Sequence, residues 1–273
     1  MATGPTRSGT AGSSEEGPGS GRSRRHQSRC QAKEPSGALE MIMNDPAIDK
    51  DRVTGSDSGD AGKSYKRDFW DDENLKYAEP HFRAQKVARL VNKIARGRER
   101  DLLDIGCGPA GLRRLLDDNV HYYGIDIAIH DPAPNLIETD LVENPIEFNG
   151  KQFDIVVAQG AFEYFGGVQS QKLAEIKELL TDDGTFIVSY WNFGHRNARI
   201  YAPFSNIQPL NDFRGSLASY FKINASFPAS HNWKHNMSDR KLLKVINTHV
   251  NTNIPFVSPK LAVEYFFICS SKA

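Results

Sequence analysis

The stretch "LLDIGCGPAG", residues 102–111, constrains the fold of this chain more than any other. An apolar run from Leu102 to Ile105 enters a loop with glycines at Gly106, Gly108 and Gly111. Glycine admits left-handed backbone and lets a ligand come close to the main chain. The spacing is G-x-G-x-x-G, and the following "GLRRLLDDN" reads as a helix. Strand, glycine turn and helix in that order open a doubly wound α/β sheet, whose ligand lies beyond the carboxyl end of the strand. One residue sits badly with a dinucleotide. Asp104 places a carboxylate just before the first glycine, where a pyrophosphate would come close.

The rest of the chain keeps the alternation. "RAQKVARLVNKIARGRER" puts Val87, Leu90, Val91 and Ile94 on one helical face ahead of the first strand. "HYYGIDIA", "NLIETDL", "FDIVVAQ" and "TFIVSYW" read as further strands. "QKLAEIKELL" reads as a helix, and Asp182, Asp183 and Gly184 turn the chain into the strand after it. "SDRKLLKVINTHV" is a helix with Ser238 or Asp239 as N-cap, and "VEYFFICSS" is a last strand. Strands alternating with helices imply a largely parallel sheet covered on both faces.

Residues 1–63 differ. "GTAGSSEEGPGSGRSRR" has no apolar period and cannot bury enough surface to offset its ordering entropy. Residues 1–63 are therefore expected to be a disordered tail, and residues 64–273 the folded domain. With 34 Lys and Arg against 34 Asp and Glu, the net charge is +0. Nothing global draws the chain to nucleic acid or to an anionic membrane. No apolar run reaches the roughly 18 residues of a membrane span. The N-terminus lacks the apolar core of a secretory signal. Cys30, Cys107 and Cys269 are scattered, with no metal-ligand spacing. A reducing cytoplasm is the expected location, and no metal is expected.

Charge decides the ligand of the glycine loop. A pyrophosphate on the helix N-terminus would be repelled by Asp104. S-adenosylmethionine carries an ammonium and a sulfonium and no phosphate, so a carboxylate there favours it. Asp126 ends the second strand, where a carboxylate can accept both ribose hydroxyls. Asp140 follows the third strand and can meet the adenine amino group, with Leu141 against the ring. Gln159 follows the fourth strand and faces the same crevice. Cys107 and Ile127 adjoin Gly106 and Asp126 in the expected lining, the Cys107 thiol itself reading as a small packed group.

"LLDIGCGPAG", "YYGIDIA", "ETDL", "FDIVVAQGAFEYF" and "DDGTFIVSY" resemble the successive motifs of class I S-adenosylmethionine-dependent methyltransferases. The resemblance runs from about Tyr65 to the C-terminus. It implies a Rossmann-like seven-stranded sheet with an antiparallel last strand. It also implies that Asp104, Gly106, Gly108, Asp126, Asp140, Leu141 and Gln159 line the cofactor site. In many members an aromatic N-terminal segment folds over the cofactor, a place for Tyr65, Phe69, Trp70 and Tyr77 here.

The methyl acceptor is less legible. "AQGAFEYF" departs from the N/D-P-P-Y/F of enzymes that methylate exocyclic or amide nitrogens. "YWNFGHRNARIYAPF" is similar, more weakly, to the corresponding region of the MetW-like group. "PLNDFRGSLASYFKINASFPAS" reads as part of an insertion, a substrate cover over about 192–236. A hydroxyl acceptor needs a base, and an amine needs to be unprotonated. His235 and His195 are the candidate bases, with Glu163 as an alternative base or amine anchor. The expected function is methyl transfer to a small-molecule hydroxyl or amine, with no nucleic acid and no membrane as partner. A nucleic-acid or protein methyltransferase, or a non-catalytic MetW-like regulatory partner, is the alternative. The oligomeric state is not legible.

Overall fold

The computed structural model describes Arg67, Trp70 and residues 82–192, 208–231 and 262–272. Its frame is one seven-stranded sheet of order β3-β2-β1-β4-β5-β7-β6. The strands are β1 (Arg100–Ile105), β2 (Val120–Asp126), β3 (Leu136–Glu138), β4 (Phe153–Ala158), β5 (Leu180–Trp191), β6 (Phe221–His231) and β7 (Ala262–Ser271). β1 to β5 pair in parallel, and β7 runs antiparallel to both β5 and β6. This is the expected α/β fold with its antiparallel last strand.

Side-chain alternation builds two cores, one on each face. Leu102, Ile155, Val157, Ile187 and Phe266 turn to one face and bury Val87, Ala88 and Val91 of helix α1 (Phe82–Ala95). Leu103, Ile105, Val156, Phe186 and Phe267 turn to the other. There they meet Leu173 and Ile176 of α2 (Gln169–Leu179) and Phe213 and Leu217 of α3 (Leu210–Tyr220). Tyr190 of β5 stacks on Phe213 at 3.8 Å between ring centroids. Successive residues of a strand point to opposite faces, so near-continuous apolar strands are what a two-sided sheet requires.

Two stretches depart from the sequence reading. "GLRRLLDDN" forms only a one-turn 3-10 helix, Gly111–Leu115, entered through Ala110 at φ 51°. Its polar end, Asp117 and Asp118, lies outside the helix. β5 runs from Leu180, but Leu180 pairs with Phe153 and Thr185 with Ile155, so Thr181 to Gly184 bulge out between them, where the turn through Asp182, Asp183 and Gly184 is expected. The described part of the expected insertion is not a loop: α3 and β6 belong to the sheet and its cover. The interspersed polar residues and Pro228 hide β6, and a proline is tolerated there because β6 lies at the sheet edge. Residues 193–207 and 232–236 of that expected cover, and the expected tail of 1–63, lie outside the described residues. Among the described residues, no helix is long and apolar enough to cross a membrane.

Candidate cofactor and acceptor site

The strand order reverses between β1 and β4, and the two loops that leave these strands face one crevice. After β1, Gly106 and Gly108 adopt φ 71° and 51°, conformations that favour glycine. A Cβ on Gly106 would stand 2.7 Å from the Cβ of Ala161, in the loop after β4. The glycine is therefore required both by its backbone angle and by the closeness of the two loops. The N–H groups of Gly106 and Cys107 donate to the Ile125 carbonyl, tying the loop to β2.

Asp126 does more than end β2. Its Oδ2 accepts the Gly108 N–H at 2.7 Å and its Oδ1 accepts the Ala128 N–H at 3.1 Å. The carboxylate thus shapes the glycine loop as well as facing the crevice. About four acceptor sites on a carboxylate leave capacity for ribose hydroxyls. Asp104 is buried, and its Oδ2 accepts the Tyr122 hydroxyl at 2.8 Å. Burial, opposed by that hydrogen bond and reinforced by Asp126, pushes its carboxyl up to about 7.

Two coupled acids beside exposed glycine backbone fit S-adenosylmethionine and disfavour a pyrophosphate. An arriving ammonium would relieve Asp104, whereas a diphosphate would add like charge to it. The Cys107 thiol is buried in the core beneath Gly124, and burial raises it well above its ordinary range. Cys107 has its backbone, not its sulfur, to offer a ligand.

Asp140 is in an Asx turn, its Oδ1 accepting the Val142 N–H at 2.9 Å. Leu141 is buried in the core, and Ile127 and Gln159 are half-buried beside the ends of β2 and β4. Glu138, which the sequence reading passed over, joins two parts of this edge. It accepts the Ile129 N–H at 3.0 Å and pairs with Arg67 at 2.7 Å. Three residues beyond Arg67, the Trp70 ring meets Tyr164 edge-on at 4.7 Å, in the loop after β4. Arg67 thus meets the end of β3, and Trp70 the loop beyond β4.

The second half of the site is a buried ionic cluster at the ends of β4, β5 and β7. Glu163 lies on the 3-10 turn Phe162–Tyr164 and is 3% exposed. Its Oε1 accepts the Trp191 N–H at 2.9 Å, and its Oε2 is buried without a hydrogen-bond partner. Burial, reinforced by Glu264 and opposed by hydrogen bonds and Arg83, pushes its carboxyl up to about 8. Arg83 Nη1 donates to both oxygens of the fully buried Glu264, at 3.1 and 3.0 Å. Lys86 Nζ donates to the Pro228 carbonyl at 2.8 Å, and burial lowers it to about 8. For Arg83 and Lys86 the sequence signal was their helical spacing on one face of α1.

Of the three candidate catalytic residues, Glu163 is described, buried on the turn after β4. His195 and His235 lie outside the described residues. No group of three or more metal-ligating side chains occurs among the described residues.

A pH signature follows from the two acids. Each holds its proton more tightly folded than unfolded, where the ordinary values are 3.8 for Asp104 and 4.5 for Glu163. Their stabilisation is complete below the unfolded values and is lost as the pH rises through about 7 and about 8. Melting of the ligand-free protein is expected to show this falling contribution between pH 4 and 8. The Asp104→Asn, Glu163→Gln double variant should flatten it. Identical pH slopes in wild type and double variant would refute the buried-proton assignment.

The family model described as Methyltransferase domain matches residues 80–245. The chain belongs to that family. This methyltransferase also shares its fold with solved structures of low identity. One is the Haloferax volcanii partner of the methyltransferase activator Trm112, at TM-score 0.52 and 14% identity, covering 78% of this chain and 98% of that one. Another is an S-adenosylmethionine-dependent methyltransferase from Clostridium acetobutylicum, at TM-score 0.50 and 10% identity, covering 74% and 96%. A search of curated proteins found no match. The chain is a class I methyltransferase, and its cofactor is S-adenosylmethionine, which supplies a methyl group activated on a sulfonium.

Proposed function

We propose that this enzyme methylates a hydroxyl or amine of a small molecule. The observation that carries the reading is the enclosure of Glu163. The ends of β4, β5 and β7 close around it with Phe162 and Tyr190, so the polar group proposed for an acceptor is buried and not on an open surface. A buried polar group is met by a functional group of a small molecule more readily than by a helix of nucleic acid. The exposed cations Lys93, Arg96 and Arg98 lie at the other end of α1, next to the start of β1.

In this reading Gly106, Gly108, the Cys107 backbone, Asp126 and Ile127 hold the nucleoside side of the cofactor. Asp140, Leu141 and Gln159 border the adenine, and Asp104 faces the cationic methionine end. His195 and His235 are the bases proposed for a hydroxyl acceptor, and Glu163 the group proposed for an amine. What these residues must achieve is positioning and exclusion of water, because methyl transfer is an in-line displacement. The two loops that touch at Gly106 and Ala161 bring donor and acceptor ends of the crevice together.

The test combines binding and turnover. S-adenosylhomocysteine should bind in calorimetry while NAD does not. Labelled methyl should then move from S-adenosylmethionine to a member of a panel of small hydroxyl and amine compounds. Transfer to RNA or protein with none to the panel would replace this reading with a macromolecular acceptor.

A further inference from the structure

We propose that the acceptor is an amine that docks on Glu163, whose unpartnered oxygen takes the proton of the amine. The proposal rests on the reading of the chain as a small-molecule methyltransferase and names the acceptor class within it.

The geometry singles out one atom. In the cluster at the ends of β4, β5 and β7, each neighbour of Glu163 is already engaged. Glu264 has both oxygens on Arg83, and Lys86 is on the Pro228 carbonyl. Glu163 spends Oε1 on the Trp191 N–H, and Oε2 has no donor. A buried carboxyl oxygen without a donor is rare in native proteins and marks a place that something else completes. Its location is suited to that. Gly160 and Ala161 lie three and two residues before Glu163, and Ala161 packs against Gly106 of the cofactor loop. Oε2 thus belongs to the loop that borders the methyl donor.

The chemistry selects an amine over a hydroxyl. An alkyl ammonium ion has a pKa of about 10 and no lone pair with which to attack. Next to a buried carboxylate, the ion pair and the neutral pair compete, and desolvation disfavours both charges of the ion pair. Once Glu163 has itself ionised, that desolvation shifts the proton of the docked ammonium toward Oε2. One N–H bond breaks, one O–H bond forms, and the electron pair of the broken bond stays on nitrogen as the nucleophile. An aliphatic alcohol is an acid nearly as weak as water, and a carboxylate does not deprotonate it.

The charged and titratable groups that face Glu163 act in both directions. Glu264 on β7 favours its protonated form, Arg83 on α1 favours its ionised form, and Tyr190 on β5 adjoins it as a phenol kept neutral by burial. The proton affinity that results, about 8, suits exchange with an amine near neutral pH.

The experiment uses the full chain saturated with S-adenosylhomocysteine, so that nothing turns over. Benzylamine, phenol and benzyl alcohol, which share a ring, are titrated by calorimetry into wild type and Glu163→Gln between pH 7 and 10. The glutamine keeps an oxygen for the Trp191 N–H, so folding and S-adenosylhomocysteine affinity should hold within about twofold. Benzylamine is expected to bind wild type at least about tenfold more tightly than either hydroxyl compound. The variant should bind benzylamine at least about tenfold more weakly than wild type at pH 8. That gap should close toward pH 10, where the amine is neutral without help. A variant with wild-type amine affinity, a gap independent of pH, or equal affinity for the three compounds would overturn the proposal. Failure of S-adenosylhomocysteine to bind either protein would overturn the underlying methyltransferase reading as well, and so is distinguishable from failure of the amine assignment alone.

Discussion

Asp126→Ala is expected to weaken binding of S-adenosylhomocysteine by at least about a hundredfold. Two contributions add. The ribose hydroxyls lose a charged acceptor, and hydrogen bonds to charged groups are worth about 1.5–3 kcal/mol each. The glycine loop also loses its anchor, because Asp126 accepts the Gly108 N–H at 2.7 Å and the Ala128 N–H at 3.1 Å. Each buried donor left without a partner costs about 1–3 kcal/mol. The melting temperature of the ligand-free protein should therefore fall too, which a residue serving the ligand alone would not produce. Asp126→Asn keeps one oxygen but turns an N–H toward one of the two backbone donors, so it should lie between wild type and alanine. Asp104→Asn supplies the contrast. It removes the attraction for the cationic end and leaves the nucleoside contacts intact, so adenosine binding should persist. Equal loss of adenosine in Asp126→Ala and Asp104→Asn would show that the nucleoside does not lie against β2.

The reach of the sequence can be judged from these same residues. Asp104, Gly106 and Asp126 were legible because a glycine turn after an apolar strand has few structural alternatives. The fold followed from the alternation, because strands buried on both faces read as unbroken apolar runs. What escaped were pairings between distant segments. The bond from the Asp126 carboxylate to the Gly108 N–H sets the loop, and no local pattern announces it. β6 escaped because an edge strand tolerates polar residues and a proline. Glu163 was legible as a polar residue after the fourth strand, but its spare oxygen depends on Trp191, 28 residues away. Glu138 became visible only once β3 was placed beside β2 and Arg67 reached it.

The Arg83–Glu264 pair is the largest stability effect expected outside the apolar core. The two residues are 181 positions apart, so no helical or strand period connects them. Glu264 is fully buried, and Arg83 holds Nη1 near both of its oxygens. Removing one member of a buried pair strands the other charge, which costs about 3–5 kcal/mol. Arg83→Met, which keeps much of the aliphatic volume, should thus lower the melting temperature by on the order of 10 °C. Glu264→Gln should cost less, because the amide oxygen still accepts from the guanidinium while the negative charge is gone. The double variant Arg83→Met, Glu264→Leu is expected to recover most of the loss, since a buried pair replaced by apolar groups of similar volume is often neutral. That recovery separates an ionic cost from a packing cost: simple additivity of the two single changes would mean that the residues do not depend on each other. The pair also bears on the site. A Cβ on Gly160 would lie 3.6 Å from Arg83 Nη1, and Gly160 is in the loop that carries Ala161 and Glu163. Arg83→Met should therefore loosen the acceptor end of the crevice before the nucleoside end, and adenosine affinity should survive at temperatures where the acceptor end no longer holds its shape.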